Sequence, residues 1–125
     1  YKKAVKWYTS AAEQGDLVGQ LQLAHMYGKG QGVTQDYKKA FELFTLAAER
    51  GNQNAQGNLG IMYFNGQGVL KDIVYSYMWL NIAGSYWKSD ASNKRDIVAK
   101  EMTNEQIAEA QKLARECVAK DYKGC

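Results

Sequence analysis

The chain contains no proline, a single histidine and no long apolar run, and each of these absences excludes a class of protein. Without proline, and with its glycines at regular places, it does not resemble a disordered linker or a low-complexity tail. The lone histidine, His25, has neither a cysteine nor a second histidine near it, so no zinc-ligand spacing is present. The longest apolar stretch, 73–84, is interrupted by Ser76 and Asn81 and is too short to span a bilayer. We therefore expect no metal, no cofactor and no membrane insertion.

Charge and cysteine content narrow the choice further. The net charge is only +3, and basic and acidic residues are mixed along the chain. Such mixing indicates a solvated surface, so we expect no nucleic-acid partner. Two interpretations stay open for Cys117 and Cys125, which lie close together near the C-terminus. A disulfide would favour a periplasmic or secreted location over the cytoplasm, whereas otherwise Cys117 is a small apolar core residue and Cys125 a free end.

What the chain does contain is one unit of 36 residues written twice. The sequence YKKA at 1–4 returns at 37–40, the sequence GQGV at 30–33 returns at 66–69, and half of all positions hold the same residue in both copies. A helical repeat cannot bury its apolar face alone, so it stacks on its neighbours and leaves an extended surface for binding. We therefore expect a binding scaffold. Because the chain begins in register with the repeat and without a methionine, we also expect it to be a piece of a longer protein.

Each unit is predicted to form two helices joined by a turn. Apolar residues in the second unit recur three and four positions apart, which indicates an amphipathic helix over about 36–50 with an aspartate as its N-cap. Gly51, like Gly15 in the first unit, follows the last charged turn, where a left-handed residue would end the helix. A shorter helix is predicted over about 54–64, and Gly60 within it would let a neighbouring helix approach closely.

The glycine-rich loops invite a nucleotide-binding interpretation that the sequence does not support. Residues 28–32 have neither a preceding strand nor the Gly-Lys-Ser/Thr ending that cradles a phosphate. Because the loop recurs at 66–69 as part of the repeat, we predict that it serves the fold.

The shared positions resemble the Sel1-like repeat family, a relative of the tetratricopeptide repeats with a longer loop inside each hairpin. This resemblance implies an all-α fold, a right-handed α/α superhelix (solenoid) of antiparallel helix pairs, with about seven helices including a C-terminal capping helix. It also implies that the shorter helix of each pair lines a concave groove. The residues that carry it are Leu23, Ala24, Tyr27, Gly30, Gly32, Val33, Asp36, Ala40, Ala47, Ala48 and Gly51, and again Ala55, Leu59, Gly60, Tyr63, Gly66, Gly68, Val69 and Asp72.

The repeat decays towards the C-terminus. After Asp72 the long helix continues, but Gly84 replaces the second alanine of the repeat and no Leu-Gly-x-x-Tyr follows. A charged helix over about 91–102 and a capping box at 103–106 precede a last amphipathic helix, as expected where a solenoid shields its final apolar surface. We therefore divide a single domain into a repeat at 1–36, a repeat at 37–72, a degenerate repeat at 73–102, and a capping helix with a tail at 103–125.

A catalytic alternative depends on one short motif. Residues 85–88 satisfy the Ser-x-x-Lys pattern of serine β-lactamases and penicillin-binding proteins, so Ser85 and Lys88 would make this a bacterial envelope enzyme. Such enzymes also need Ser-Asp-Asn and Lys-Thr-Gly motifs, and the chain has neither. We therefore expect no enzymatic activity.

The candidate binding residues are those of the shorter helices that the core does not need. Leu21, Ile61 and Phe64 are the most telling, because apolar side chains at such places form anchor pockets for a peptide or a partner helix. The other interpretation is that they pack against the neighbouring hairpin. We expect a non-catalytic bacterial scaffold that binds a protein or peptide partner, with its oligomeric state left open. The candidates are Val18, Leu21, Gln22, His25, Lys29, Asn54, Asn58, Ile61, Phe64 and Asn65.

Overall fold

The computed structural model describes residues 1–84 and 90–125, and this part of the chain forms seven α-helices and no strand. Successive helices from α1 to α6 pack on one another, and α7 returns to pack on α5. The predicted all-α solenoid with seven helices is confirmed. The helices are α1 (Lys2–Glu13), α2 (Leu17–Lys29), α3 (Tyr37–Glu49), α4 (Gln53–Asn65), α5 (Ile73–Ala83), α6 (Asp90–Ala99) and α7 (Asn104–Ala119).

Side-chain caps determine where most of these helices begin. The side chains of Asp16, Asp36, Asn52 and Asp72 each accept a hydrogen bond from a backbone N–H in the first turn of the helix that follows. Thr103 forms the predicted capping box at the start of α7. Each such cap satisfies a donor that the helix cannot pair internally.

The prediction of a shorter second helix in each unit is wrong. Helices α3 and α4 both contain 13 residues. The Asn52 cap starts α4 at Gln53, and the helix continues to Asn65 until Gly66 ends it in the left-handed conformation. The charged helix α6 is also shorter than predicted. It covers Asp90–Ala99, whereas the sequence predicted about 91–102.

Glycines end α1 and α3 as the sequence predicted. Gly15 and Gly51 adopt φ values of +81° and +84°. The N–H of Gly51 donates to the carbonyl of Ala48 at 3.0 Å, and the N–H of Asn52 donates to that of Ala47 at 3.2 Å. This is a Schellman motif, which satisfies the last carbonyls of the helix and turns the chain back.

Each glycine-rich loop contacts the start of the first helix of its own repeat. A Cβ added to Gly32 would lie 2.7 Å from the backbone carbon of Tyr1, and one added to Gly68 would clash with the carbonyl oxygen of Tyr37. Both glycines also have positive φ. The loop therefore serves the fold, as predicted.

Two clusters of buried side chains form the core. Helices α4 and α5 pack tightly at Gly60. A Cβ on this glycine would lie 2.6 Å from Cγ of Leu80, and Ser76 Oγ donates to the Gly60 carbonyl at 2.7 Å. The first core cluster joins α2, α3, α4, α5 and α7 and comprises Ala24, Ala40, Phe44, Ala47, Ala48, Ala55, Leu59, Met62, Met78, Trp79, Ile82, Ala114 and Cys117. The second core cluster joins α5, α6 and α7 and comprises Tyr77, Leu80, Val98 and Ala110.

The C-terminal tail is tied back onto the solenoid. A disulfide joins Cys117 of α7 to Cys125. The ring of Tyr122 lies over Gly51, so that a Cβ on this glycine would be 3.4 Å from the ring, and the N–H of Gly124 donates to Glu49 Oε2 at 3.2 Å. The tail therefore covers the end of α3.

Candidate functional site

Three adjoining cavities run along α4, and we call them together the α4 groove. The first, of about 150 Å³, lies between α2, α3 and α4 and is bordered by His25, Lys29 and Phe44. We call the second, of about 430 Å³, the amide cavity; it lies between α4 and α6 and is lined by Gln53, Asn54, Gly57, Asn58, Ile61, Leu80, Asp90, Ala91 and Lys94. We call the third, of about 180 Å³, the apolar cavity; it is lined by Ile61, Phe64, Asn65, Leu80, Lys94, Ile97 and Val98.

Shared side chains make these cavities one continuous surface. Ile61 lines all three, and Asn58 lines both the first cavity and the amide cavity. Leu80 and Lys94 line both the amide and the apolar cavity. Since α4 supplies a residue to every boundary, it is the floor of the groove.

Differences between the two copies of the repeat open the groove. Gly57 occupies the position that Leu21 holds in the preceding copy, and the amide cavity lies beside it. Among the described residues, a Cβ on Gly57 would meet only the Cβ atoms of Ala83 and Ala91, at 3.9 and 4.0 Å. In the same way Gly28 stands where the next copy has Phe64, and the first cavity lies beside Gly28.

Three side-chain amides, those of Gln53, Asn54 and Asn58, line the amide cavity. Asn58 Nδ2 donates to the carbonyl of Asn54 at 2.9 Å and to its Oδ1 at 2.7 Å. Gln53 Nε2 donates to the carbonyl of Ala83 at 2.5 Å. Each of these side chains keeps further donor or acceptor capacity, and α4 itself carries no charged residue. The floor of the groove is thus uncharged, with side-chain amides in the amide cavity and apolar side chains in the apolar cavity.

His25 is held in the first cavity by an aromatic contact. Its ring meets that of Phe44 edge to face, with the ring centroids 5.1 Å apart. Burial lowers the pKa of His25 below its ordinary value of 6.5, and the positive charge of Lys29 lowers it further. The ring is therefore neutral at pH 7 and suits a hydrogen bond or an aromatic contact.

Lysine residues flank the apolar cavity. Lys94 forms part of its lining, and the ammonium group of Lys71 lies 5.0 Å from the ring centroid of Phe64. Ile97 is 57% exposed although it is a large apolar residue. The apolar cavity therefore combines an uncovered hydrophobic surface with cations at its edge.

Seven of the ten predicted binding residues line the α4 groove, and the other three do not. Val18 is 59% exposed and Gln22 is exposed, but neither lines a cavity of the groove. Leu21 packs against the first core cluster. Ile61 and Phe64 line the groove and also pack against the second core cluster. The seven are His25, Lys29, Asn54, Asn58, Ile61, Phe64 and Asn65.

Sequence reasoning missed several residues of the groove. Gly57 could have been found by comparing the two copies, because a glycine opposite Leu21 indicates an unfilled position. Lys94 and Ile97 could not, because α6 lies outside the repeat register and only its packing on α5 brings it beside α4.

Other kinds of site receive no support from the described residues. Ser85 and Lys88 lie outside residues 1–84 and 90–125. Within these ranges no three histidine, cysteine or acidic side chains are grouped as metal ligands. No helix there is long and apolar enough to cross a membrane.

Comparison with known proteins supports the repeat assignment. Residues 1–16, 17–52 and 53–85 match the family model described as Sel1 repeat. The fold is similar to that of a protective antigen present in uropathogenic Escherichia coli strains that displays an SLR fold. The TM-score is 0.90 at 30% identity, and the match covers 97% of this chain but 27% of the antigen.

A second solved structure has a similar fold. This is a Sel1 repeat protein from Oxalobacter formigenes, with a TM-score of 0.69 at 33% identity, and the match covers 74% of this chain and 70% of that one. No curated protein matches the chain.

Proposed function

Because the chain belongs to the Sel1 repeat family, we propose that it is a non-catalytic scaffold that binds a polypeptide segment in the α4 groove. Sel1 repeats typically act as protein-interaction scaffolds, and the fold is typically non-catalytic. The partner is therefore a protein or a peptide.

One observation supports the groove above the rest of the surface. The repeat fills position 21 with leucine, whereas the equivalent Gly57 leaves the amide cavity open between α4 and α6. The opening lies where the other copy of the repeat carries a leucine, and α4 has no charged residue. Such a site suits a ligand that brings its own side chains and main-chain amides.

The proposal is tested with a variant whose added side chain fills the amide cavity. Peptides are selected from a random display library on the immobilised 125-residue protein, and their dissociation constants are measured by fluorescence anisotropy. Gly57→Leu is compared with the parent, and Ala108→Leu, which adds a leucine on the exposed side of α7, is the control. Gly57→Leu deletes no core contact, unlike truncation of Ile61 or Phe64.

We expect Gly57→Leu to weaken binding by about tenfold or more, since a plug in the groove removes apolar contact worth over 1.4 kcal/mol. Ala108→Leu should bind like the parent. Peptides that bind Gly57→Leu as tightly as the parent would place the site elsewhere. A library from which nothing is enriched would contradict peptide binding altogether.

The compartment is a second part of the proposal. The disulfide between Cys117 and Cys125 supports a periplasmic or secreted location, because thiols are kept reduced in most cytosols. Rapid alkylation of the protein in intact cells, followed by mass spectrometry, should find both cysteines unmodified. Alkylation of both would contradict the proposed location.

A further inference from the structure

We propose that the bound segment is acidic, with an apolar side chain that fills the apolar cavity and a neighbouring carboxylate that pairs with Lys94. This rests on the proposed function and adds the chemistry of the partner to it. The contacts of α6, which the repeat pattern did not reveal, carry the inference.

The apolar part of the partner follows from the apolar cavity. Its volume is about 180 Å³, and its wall combines Ile61 and Phe64 of α4 with Leu80, Ile97 and Val98. Ile97 is exposed although it is apolar, so a partner that covers it gains free energy by removing this surface from water. One aliphatic or aromatic side chain is the unit that such a cavity accepts.

The acidic part follows from the charges around that cavity. Among the described residues that line it, Lys94 is the only charged one, and the ammonium group of Lys71 lies 5.0 Å from the ring centroid of Phe64. The one ion pair among the described residues joins Arg95 to Asp96, so Lys94 has no acidic partner within 4 Å there. A carboxylate beside the apolar anchor would meet Lys94 and, among the described residues of the lining, no acidic side chain.

The acidic groups nearby do not line the apolar cavity. Asp72 lies next to Lys71 in sequence, but its carboxylate accepts hydrogen bonds from the N–H groups of Val74 and Tyr75. Asp90 lies one helical turn before Lys94 and lines only the amide cavity. Within the described residues, the lining of the apolar cavity therefore holds one positive side chain and no negative one.

The amide cavity indicates the path that the bound segment takes along the groove. Lys94 lines both cavities, so a chain that leaves the apolar cavity past Lys94 arrives at Gln53, Asn54 and Asn58. Side-chain amides pair with backbone N–H and C=O groups of any sequence. The acidic residue is thus expected at the boundary, followed by main-chain contacts.

The test uses the peptides selected on the parent protein. Their sequences should be enriched in aspartate or glutamate next to a leucine, isoleucine or phenylalanine. For one such peptide, binding is measured with the parent, with Lys94→Gln and with Lys112→Gln, a control on the exposed side of α7. The same is done with the peptide's acid changed to the amide.

We expect each single change at the contact to weaken binding about fivefold, and the two together to weaken it no further, as for directly paired charges. Lys112→Gln should have no effect. Raising the salt from about 50 to 500 mM should weaken the parent complex more than that of Lys94→Gln.

The outcomes separate this inference from the proposed function. Peptides that Gly57→Leu excludes, but that carry no acid or bind Lys94→Gln unchanged, would overturn the inference and leave groove binding intact. Basic peptides that depend on Asp90 would overturn it in the same way. If no selected peptide is sensitive to Gly57→Leu, the proposed function falls as well.

Discussion

Burial of His25 against Phe44 makes the stability of this protein depend on pH. The fold lowers the pKa of His25 from its ordinary 6.5, first through burial and then through Lys29, so the unfolded chain binds the proton more tightly. The stabilisation that the neutral ring allows is complete above pH 6.5 and is lost as the pH falls below it, down to the lowered pKa.

The prediction is a larger loss of stability between pH 7.5 and pH 5.5 in the parent than in His25→Gln. The free energy of unfolding is measured with urea at both values. Glutamine keeps a polar side chain but does not titrate, so it should remove this part of the pH dependence. Equal pH dependence in both proteins would contradict the role of His25.

Two glycines of α4 are predicted to respond in opposite ways to alanine. Gly60→Ala places a Cβ 2.6 Å from Cγ of Leu80 and 3.1 Å from the carbonyl oxygen of Ser76, so we expect a loss of about 1–3 kcal/mol from overpacking. Gly57→Ala meets no atom of the described residues closer than 3.9 Å, and alanine favours a helix, so we expect a gain of up to about 1 kcal/mol. Urea unfolding measures both, and a similar change for both variants would contradict the packing described here.

The tail after α7 is an element whose order depends on its disulfide. Asp121 and Tyr122 both have positive φ, a backbone conformation that residues other than glycine rarely adopt. The Cys117–Cys125 bond holds this turn closed, with Tyr122 over Gly51. Without the bond, we expect the turn to relax and the end of α3 to become exposed.

Cys125→Ser is predicted to lower the free energy of unfolding by about 2.5 kcal/mol, the chain-entropy value for a loop of this length. Cys117 is left unchanged, because it belongs to the first core cluster. Thermal unfolding with and without a thiol reductant measures the effect. The reductant should destabilise the parent and leave Cys125→Ser unchanged; a response in both would assign the effect to something other than this bond.

Helix starts and ends were predictable because their signals are local. An aspartate cap and a left-handed glycine act within one turn of the helix they limit, so Asp36, Asp72 and Gly51 could be placed from the sequence. The start of α4 was placed too late because Asn52 follows Gly51 directly and its role as a cap was not recognised.

At the N-terminal end of the solenoid, α1 exposes a large apolar side chain to solvent. Trp7 is 78% exposed, whereas Trp79, two repeats later, is 3% exposed within the first core cluster. Ala40, at the position of Ala4, is fully buried, but Ala4 is only half-buried. Helix α1 thus exposes side chains at positions that a neighbouring helix buries in the later repeats.

A copy of residues 17–36 joined ahead of Tyr1 is predicted to supply that neighbour, because residue 36 precedes the same YKKA sequence within the natural chain. We expect the free energy of unfolding to rise by about 2 kcal/mol or more and the tryptophan emission to shift to shorter wavelength as Trp7 is buried. The control is the same added segment with its copies of Leu23 and Tyr27 changed to serine. An unchanged emission spectrum would show that α1 does not accept a helix there.

The period of the repeat, its helices and its caps could all be read from the sequence, because each depends on residues that are close together in the chain. The family resemblance, the solenoid and the capping helix followed from them. The α4 groove is different, because Lys94 and Ile97 lie far beyond the helix that they face, with all of α5 between them in the chain. Their position depends on how α5 packs between α4 and α6, and no local pattern encodes such packing. Only folding decided where the apolar candidates lie: Leu21 packs against the first core cluster, whereas Ile61 lines all three cavities of the groove and also packs against the second core cluster.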